Sequence, residues 1–153
     1  MNVDEHIEEN IKVANLTTPD SMSVEEIQIV DEVKEIYENL MKVPCTGCNY
    51  CMPCPFGVDI PATFSDYNNK YFFGGRMAQA QYVGRSVGMF DTSKSGADLC
   101  TECGKCERHC PQNIQIRKEL KNAHKDLDSR LMRVFVRIAM GFMRIRNNRK
   151  KEA

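Results

Sequence analysis

Apolar residues return along this chain at helical spacing. Ile29, Val33, Ile36 and Leu40 recur every three or four positions, which places them on one face of a helix over residues 23–42. Ser23 and Glu26 form an S-x-x-E capping box at its start, and Pro44 stops it by pushing the preceding residue out of the helical region. Asp59-Ile60-Pro61 reads as a second helix start, with the proline where a missing N–H costs nothing, and this helix runs to about Phe72. On it Phe64, Tyr67, Tyr71 and Phe72 share a face suited to core packing. Gly74-Gly75 breaks the pattern, a further helix runs from Arg76 to about Val87, and GMFDTSKSG at 88–96 is a polar loop. Ser95 with Asp98 offers a cap ahead of Cys100, and the proline-free segment from Ile114 to Asn147 reads as one or two helices. No segment alternates as a strand does, so the expected fold is all-α, with the cysteines in loops and at helix starts.

The end of the chain carries a second kind of pattern. Leu127, Leu131, Val134, Phe135, Ile138, Phe142 and Ile145 gather on one side of a helical wheel, and Arg130, Arg133, Arg137 and Arg144 on another. Such a helix either packs on a protein surface, of this domain or of a partner, or lies on an anionic membrane or an acidic partner. Packing is the expectation, because most helical apolar stripes are core.

Length and charge narrow the class. The 153 residues suffice for one domain with appendages and are too few for a barrel enzyme of roughly 250 residues. With 27% charged and 42% hydrophobic residues the composition is that of a globular protein. No stretch approaches the length of a membrane span, and MNVDEHIEEN is acidic where a signal peptide is basic and then apolar, so a cytoplasmic location is expected. The net charge of zero hides a gradient: residues 1–43 hold 11 acidic and 3 basic side chains, residues 44–110 hold 6 of each, and residues 111–153 hold 4 acidic and 12 basic. Net charges of −8 and +8 at the two ends suggest either a docking face or mutual attraction within one fold. No nucleic-acid partner is expected.

Eight cysteines supply the chemistry. DLCTECGKCERHCPQNI holds Cys100, Cys103, Cys106 and Cys110 before Pro111, the C-x2-C-x2-C-x3-C-P spacing of two-cluster ferredoxins, and PCTGCNYCMPCP holds Cys45, Cys48, Cys51 and Cys54 before Pro55. Three thiolates two residues apart reach three corners of an inorganic cube, while the fourth cysteine lies too far along and reaches across to the other cluster. On that logic Cys45, Cys48, Cys51 and Cys110 hold one 4Fe-4S cluster, and Cys100, Cys103, Cys106 and Cys54 hold the other. Only two residues separate Cys51 from Cys54 where the general pattern has three, so the crossing of Cys54 rests on less than that of Cys110. The rivals are four-cysteine structural zinc, which favours two separated C-x2-C pairs, and a disulfide framework, which belongs to secreted chains. Lys105, Arg108 and His109 stand where they would raise the potential of a nearby cluster, or merely be solvated. Gly57 and Pro61, and after the second copy Ile114 and Ile116, read as structural residues that turn each loop into its following helix.

The runs VPCTGCNYCMPCPFGVDIPATFSDYN and ADLCTECGKCERHCPQNIQIRKELKNAH resemble the C-terminal iron-sulfur domain of bacterial and archaeal aldo/keto reductases with two 4Fe-4S clusters. The resemblance covers residues 21 to about 126, and HIEENIKVANLTTPDSMSVEEIQIV is similar to the junction after that family's barrel. It implies an α-helical ferredoxin-like domain over 21–126, a junction segment over 1–20 and a basic amphipathic helix over 127–153. The short spacing before Cys54 is usual in that family. The family's catalytic residues lie in the barrel, so no position here inherits a catalytic role. The resemblance implies electron transfer beside an aldo/keto reductase barrel, in cis or in trans; the alternative is a stand-alone ferredoxin serving another redox protein.

Overall fold

The computed structural model describes residues 3–89 and 93–151, with side chains described through residue 142. Among the described residues six α-helices form: α1 (Asp4–Leu16), α2 (Val24–Leu40), α3 (Ile60–Phe73), α4 (Gly75–Val87), α5 (Ile116–Leu127) and α6 (Arg130–Lys151). Two short 3₁₀ turns, Ala97–Leu99 and Cys106–His109, lie in the second cysteine segment. Among the described residues there is no strand, so the fold is all-α as the periodicity predicts.

By its internal contacts the chain divides into two units, Met1–Glu38 and Asn39–Ala153. The first holds α1 and most of α2. The capping box forms as the sequence predicts: Glu26 N–H donates to Ser23 Oγ at 3.2 Å, and Ser23 N–H to Glu26 Oε2 at 2.8 Å. Neither helix has a buried residue, so Ile7, Ile11, Ile29, Val33 and Ile36 all stand exposed.

The second unit holds the core. α3 packs on α4 and α5, and α4 packs on α6. Val43, Val58, Ile60, Phe64, Tyr82, Val83, Ile116, Leu120 and Leu127 are almost wholly buried among these elements. Asp59 starts α3 by accepting the Ala62 N–H on Oδ1 at 3.1 Å, with Pro61 in the first turn where no N–H is missed. Of the predicted aromatic face, Phe64 is in the core while Tyr67, Tyr71 and Phe72 are half-buried; Tyr71 Oη donates to Asp126 Oδ2 at 3.0 Å. Asp66 on α3 pairs with Arg85 on α4 and ties those two helices together.

Three expectations need correction. α2 ends at Leu40 rather than residue 42, because the Lys42 and Val43 amides are captured by Asn68 of α3. Ser95 and Asp98 make no cap; Tyr82 Oη instead accepts the Ala97 N–H at 3.2 Å and fixes the turn before Cys100. The apolar stripe of the last helix does not face the domain. α5 breaks at Asp128–Ser129, where Ser129 Oγ accepts the Met132 N–H and Asp128 holds Arg133 at 2.6 Å, and α6 then packs through Val136 with Met132 and Met140. Leu127 is buried at the end of α5, whereas Leu131, Val134, Phe135, Ile138 and Phe142 are exposed. Ile145 and Arg144 lie outside the described side chains, and residues 90–92 of the polar loop outside the described residues.

Gly96 shows how closely the second cysteine segment rests on α4. A Cβ at this position would overlap the Ser86 and Asp98 side chains. Gly96→Ala is expected to cost roughly 1–3 kcal/mol by overpacking, read as a lower thermal midpoint in a protein that still binds its metal.

Candidate metal centre

Each cysteine segment follows the same backbone path. In the first, Gly47 and Asn49 flank Cys48 with φ of +68° and +64°; in the second, Glu102 and Gly104 flank Cys103 with φ of +59° and +71°. Left-handed residues on both sides of the middle cysteine curl the loop tightly. Glycine takes that conformation at no steric cost, and Asn49 supports its own turn by donating Nδ2–H to the Gly47 carbonyl at 3.0 Å. The likeness continues past the fourth cysteine. Gly57 N–H donates to the Cys54 carbonyl at 3.0 Å and Asn113 N–H to the Cys110 carbonyl at 3.1 Å, with φ of +81° and +51°. Val58 with Ile60, and Ile114 with Ile116, then sink into the core and start α3 and α5. Thus each Cys-Pro turn hands the chain directly to a buried helix start.

This repeat brings the two segments face to face. One cavity is lined by Cys45, Cys48, Cys51 and Cys110, closed by Ile60, Phe64, Ile114 and Ile116. The other, of about 370 Å³, is lined by Cys51, Cys54, Cys100, Cys103 and Cys106. Three cysteines of the first segment and Cys110 of the second therefore surround the first cavity, and three of the second segment with Cys51 and Cys54 of the first surround the other. All eight are free thiols; Cys48 and Cys103, the middle cysteines, are exposed and the other six half-buried. Among the described residues, no three His, Cys, Asp or Glu side chains converge on a point for one metal ion. At the second cavity the thiols surround a space that suits a body of several atoms with an all-sulfur donor set, whereas the first cavity encloses only about 20 Å³.

Residues 44–115 match the family model of the 4Fe-4S dicluster domain. The eight cysteines, all within the matched residues, fit two 4Fe-4S clusters, whose chemistry is electron transfer. No curated protein and no solved structure gives a match to the chain.

The surroundings of the two cavities differ in charge. Lys105, His109 and Arg117 line the second cavity, whereas Thr46, Asn49 and Gln112 supply the polar lining of the first. Arg108 is exposed. Arg117 is absent from the sequence reading, because nothing local marks it. It is held by Glu107, which accepts the Arg117 backbone N–H at 3.0 Å and meets its guanidinium at 2.8 Å. That pair lowers the Glu107 carboxyl and raises Arg117, so both stay charged. Burial pushes the Cys51 thiol up to about 11, with the neighbouring thiols adding to it. Metal binding at Cys51 must therefore displace its proton.

Two further residues missed in the sequence hold the segments in place. Asn68 of α3 accepts the Lys42 and Val43 N–H groups on Oδ1, each at 3.0 Å, and donates Nδ2–H to the Val43 carbonyl at 2.8 Å. The same carbonyl accepts the Cys45 N–H at 2.8 Å, so the first ligand position hangs on this amide. Tyr82 does the equivalent for the second segment: Oη accepts the Ala97 N–H and shares a 2.7 Å hydrogen bond with His124 Nδ1. Burial pushes the Tyr82 phenol up to about 12, keeping it neutral.

Proposed function

We propose that the chain passes electrons singly through two 4Fe-4S clusters held crosswise. Cys45, Cys48, Cys51 and Cys110 hold one, and Cys100, Cys103, Cys106 and Cys54 hold the other. The observation that carries this reading is that Cys110 of the second segment lines the first cavity and Cys54 of the first segment lines the second. When bound, such clusters supply one-electron redox chemistry without moving protons or substrate atoms. Cys51 borders both cavities and gives a short path between them. Exposed Cys48 and Cys103 offer edges where a partner's electron can arrive or leave. Lys105, His109 and Arg117 favour the more negative, reduced state at the second cavity, so that centre takes an electron more readily than the first.

The domain serves an aldo/keto reductase-type oxidoreductase, with the barrel in cis or in trans. Two observations support this: the likeness of residues 21 to about 126 to that family's iron-sulfur domain, and the exposed apolar residues on the acidic helices α1 and α2, a surface a barrel would cover. A stand-alone ferredoxin for another redox enzyme is the second reading, and an in-frame barrel in the coding DNA ahead of Met1 separates the two. The clusters themselves are tested by anaerobic reconstitution. Iron and acid-labile sulfide sufficient for two cubes per chain, with a brown chromophore and paramagnetic signals on reduction, are expected. Colourless protein that takes up zinc and holds no sulfide overturns the proposal.

A further inference from the structure

The face of α6 left uncovered by the domain has no part in the electron-transfer reading. α6 spends one arc on α4: Met132, Val136 and Met140, four residues apart, form its seam with the core, and Val136 is only 4% exposed. A different arc carries Leu131, Phe135, Ile138 and Phe142, spaced four, three and four residues apart, with Val134 beside them. Leu131 is 84%, Phe135 68% and Phe142 71% exposed. Four large apolar side chains thus form a ridge about 16 Å long at the helical rise. Arg130 and Arg137 lie exposed on the arc next to it. Over its 22 residues α6 contains eight arginines and lysines and not one carboxylate.

We infer that α6 docks the domain on an anionic lipid surface, with its axis in the plane of the membrane and the Leu131–Phe142 ridge at the boundary between headgroups and acyl chains. Among the described residues no helix is long and apolar enough to cross a membrane, which is compatible with a helix lying in the interface. Both halves of the surface match such a bilayer. Apolar side chains on one arc gain by leaving water, and arginines on the adjoining arc meet negative headgroups. An acidic protein also meets the arginines, but a protein that buries a convex ridge must supply a groove of matching shape, whereas a fluid acyl layer accepts the ridge as it stands.

Flotation of the anaerobically reconstituted full chain with vesicles tests this inference independently of the aldo/keto reductase reading. One set is pure phosphatidylcholine and the other equimolar phosphatidylcholine and phosphatidylglycerol. The wild type is expected to float with the anionic vesicles, to stay down with the neutral ones, and to be released by high salt. Phe135→Glu and Ile138→Glu change exposed positions, so cluster absorbance is retained while flotation is lost. Arg130→Gln and Arg137→Gln each weaken binding roughly fivefold, and they keep the test open should a ridge variant fail to fold. Absence of flotation, equal binding to both lipids, or a Phe135→Glu variant that floats like the wild type overturns the inference. So does a ridge whose substitution alters only self-association or binding to an acidic protein.

Discussion

Replacing Cys110 with Ala is expected to damage the centre of the first segment, not its own. The variant should keep the cluster surrounded by Cys100, Cys103, Cys106 and Cys54 and lose the one at Cys45, Cys48 and Cys51, so about half of the iron and sulfide survives reconstitution. Cys110 lines the first cavity with those three cysteines, and its own neighbours in sequence line the second. Three thiolates leave one iron corner of a cube without a protein ligand, and the loss of that cube is read as the disappearance of the paramagnetic signal of one centre only. The charges around the cavities help to assign it, because the surviving centre is the one bordered by Lys105, His109 and Arg117 and takes an electron more readily. Loss of the local centre, with the distant one intact, would refute the crossing and return Cys110 to its own loop. Cys54→Ala is the mirror experiment, and it matters because only two residues separate Cys54 from Cys51.

How much of this was legible in the sequence follows from the range of each interaction. The capping box of α2, the Asp59-Pro61 start of α3 and the twin Cys-Pro turns are local, since every partner lies within four residues, and the sequence predicts them correctly. The residues that seat the two segments are not local. Asn68 reaches Val43 across 25 residues and Tyr82 reaches His124 across 42, and neither a lone asparagine nor a lone tyrosine in a helical stretch announces such a partner. Arg117 escapes for the same reason, being ten residues from Glu107. α6 misled in a different way. Its wheel bears two apolar arcs, the large stripe from Leu131 to Phe142 and the modest Met132–Val136–Met140 seam, and hydrophobic periodicity favours the larger. The domain selects the smaller one, which lies against α4. Size of side chain measures how much burial would gain, not which neighbour is available to bury it.

Asn68→Leu is the substitution expected to cost most among those outside the cysteines. Leucine has nearly the same volume, so the packing of α3 should survive, but the Val43 N–H loses its hydrogen-bond acceptor and the Val43 carbonyl the Asn68 donor. Each unsatisfied buried group costs about 1–3 kcal/mol, which makes a loss of roughly 2–4 kcal/mol in denaturant unfolding the expected result. The damage should also be uneven. Val43 stands two residues before Cys45, and its carbonyl anchors the Cys45 N–H, so the first centre should load less completely than the second, which hangs on Tyr82 instead. Asn68→Asp separates the two halves of the amide's role: a carboxylate still accepts both N–H groups but offers no donor to the carbonyl, so an intermediate loss is expected. A leucine variant as stable as the wild type, or one whose two centres load equally, would show that the first segment is held by its metal rather than by this amide. An uneven loss would show that α3 sets the position of the first thiol before any iron arrives, leaving less of the ordering cost to be met by metal binding.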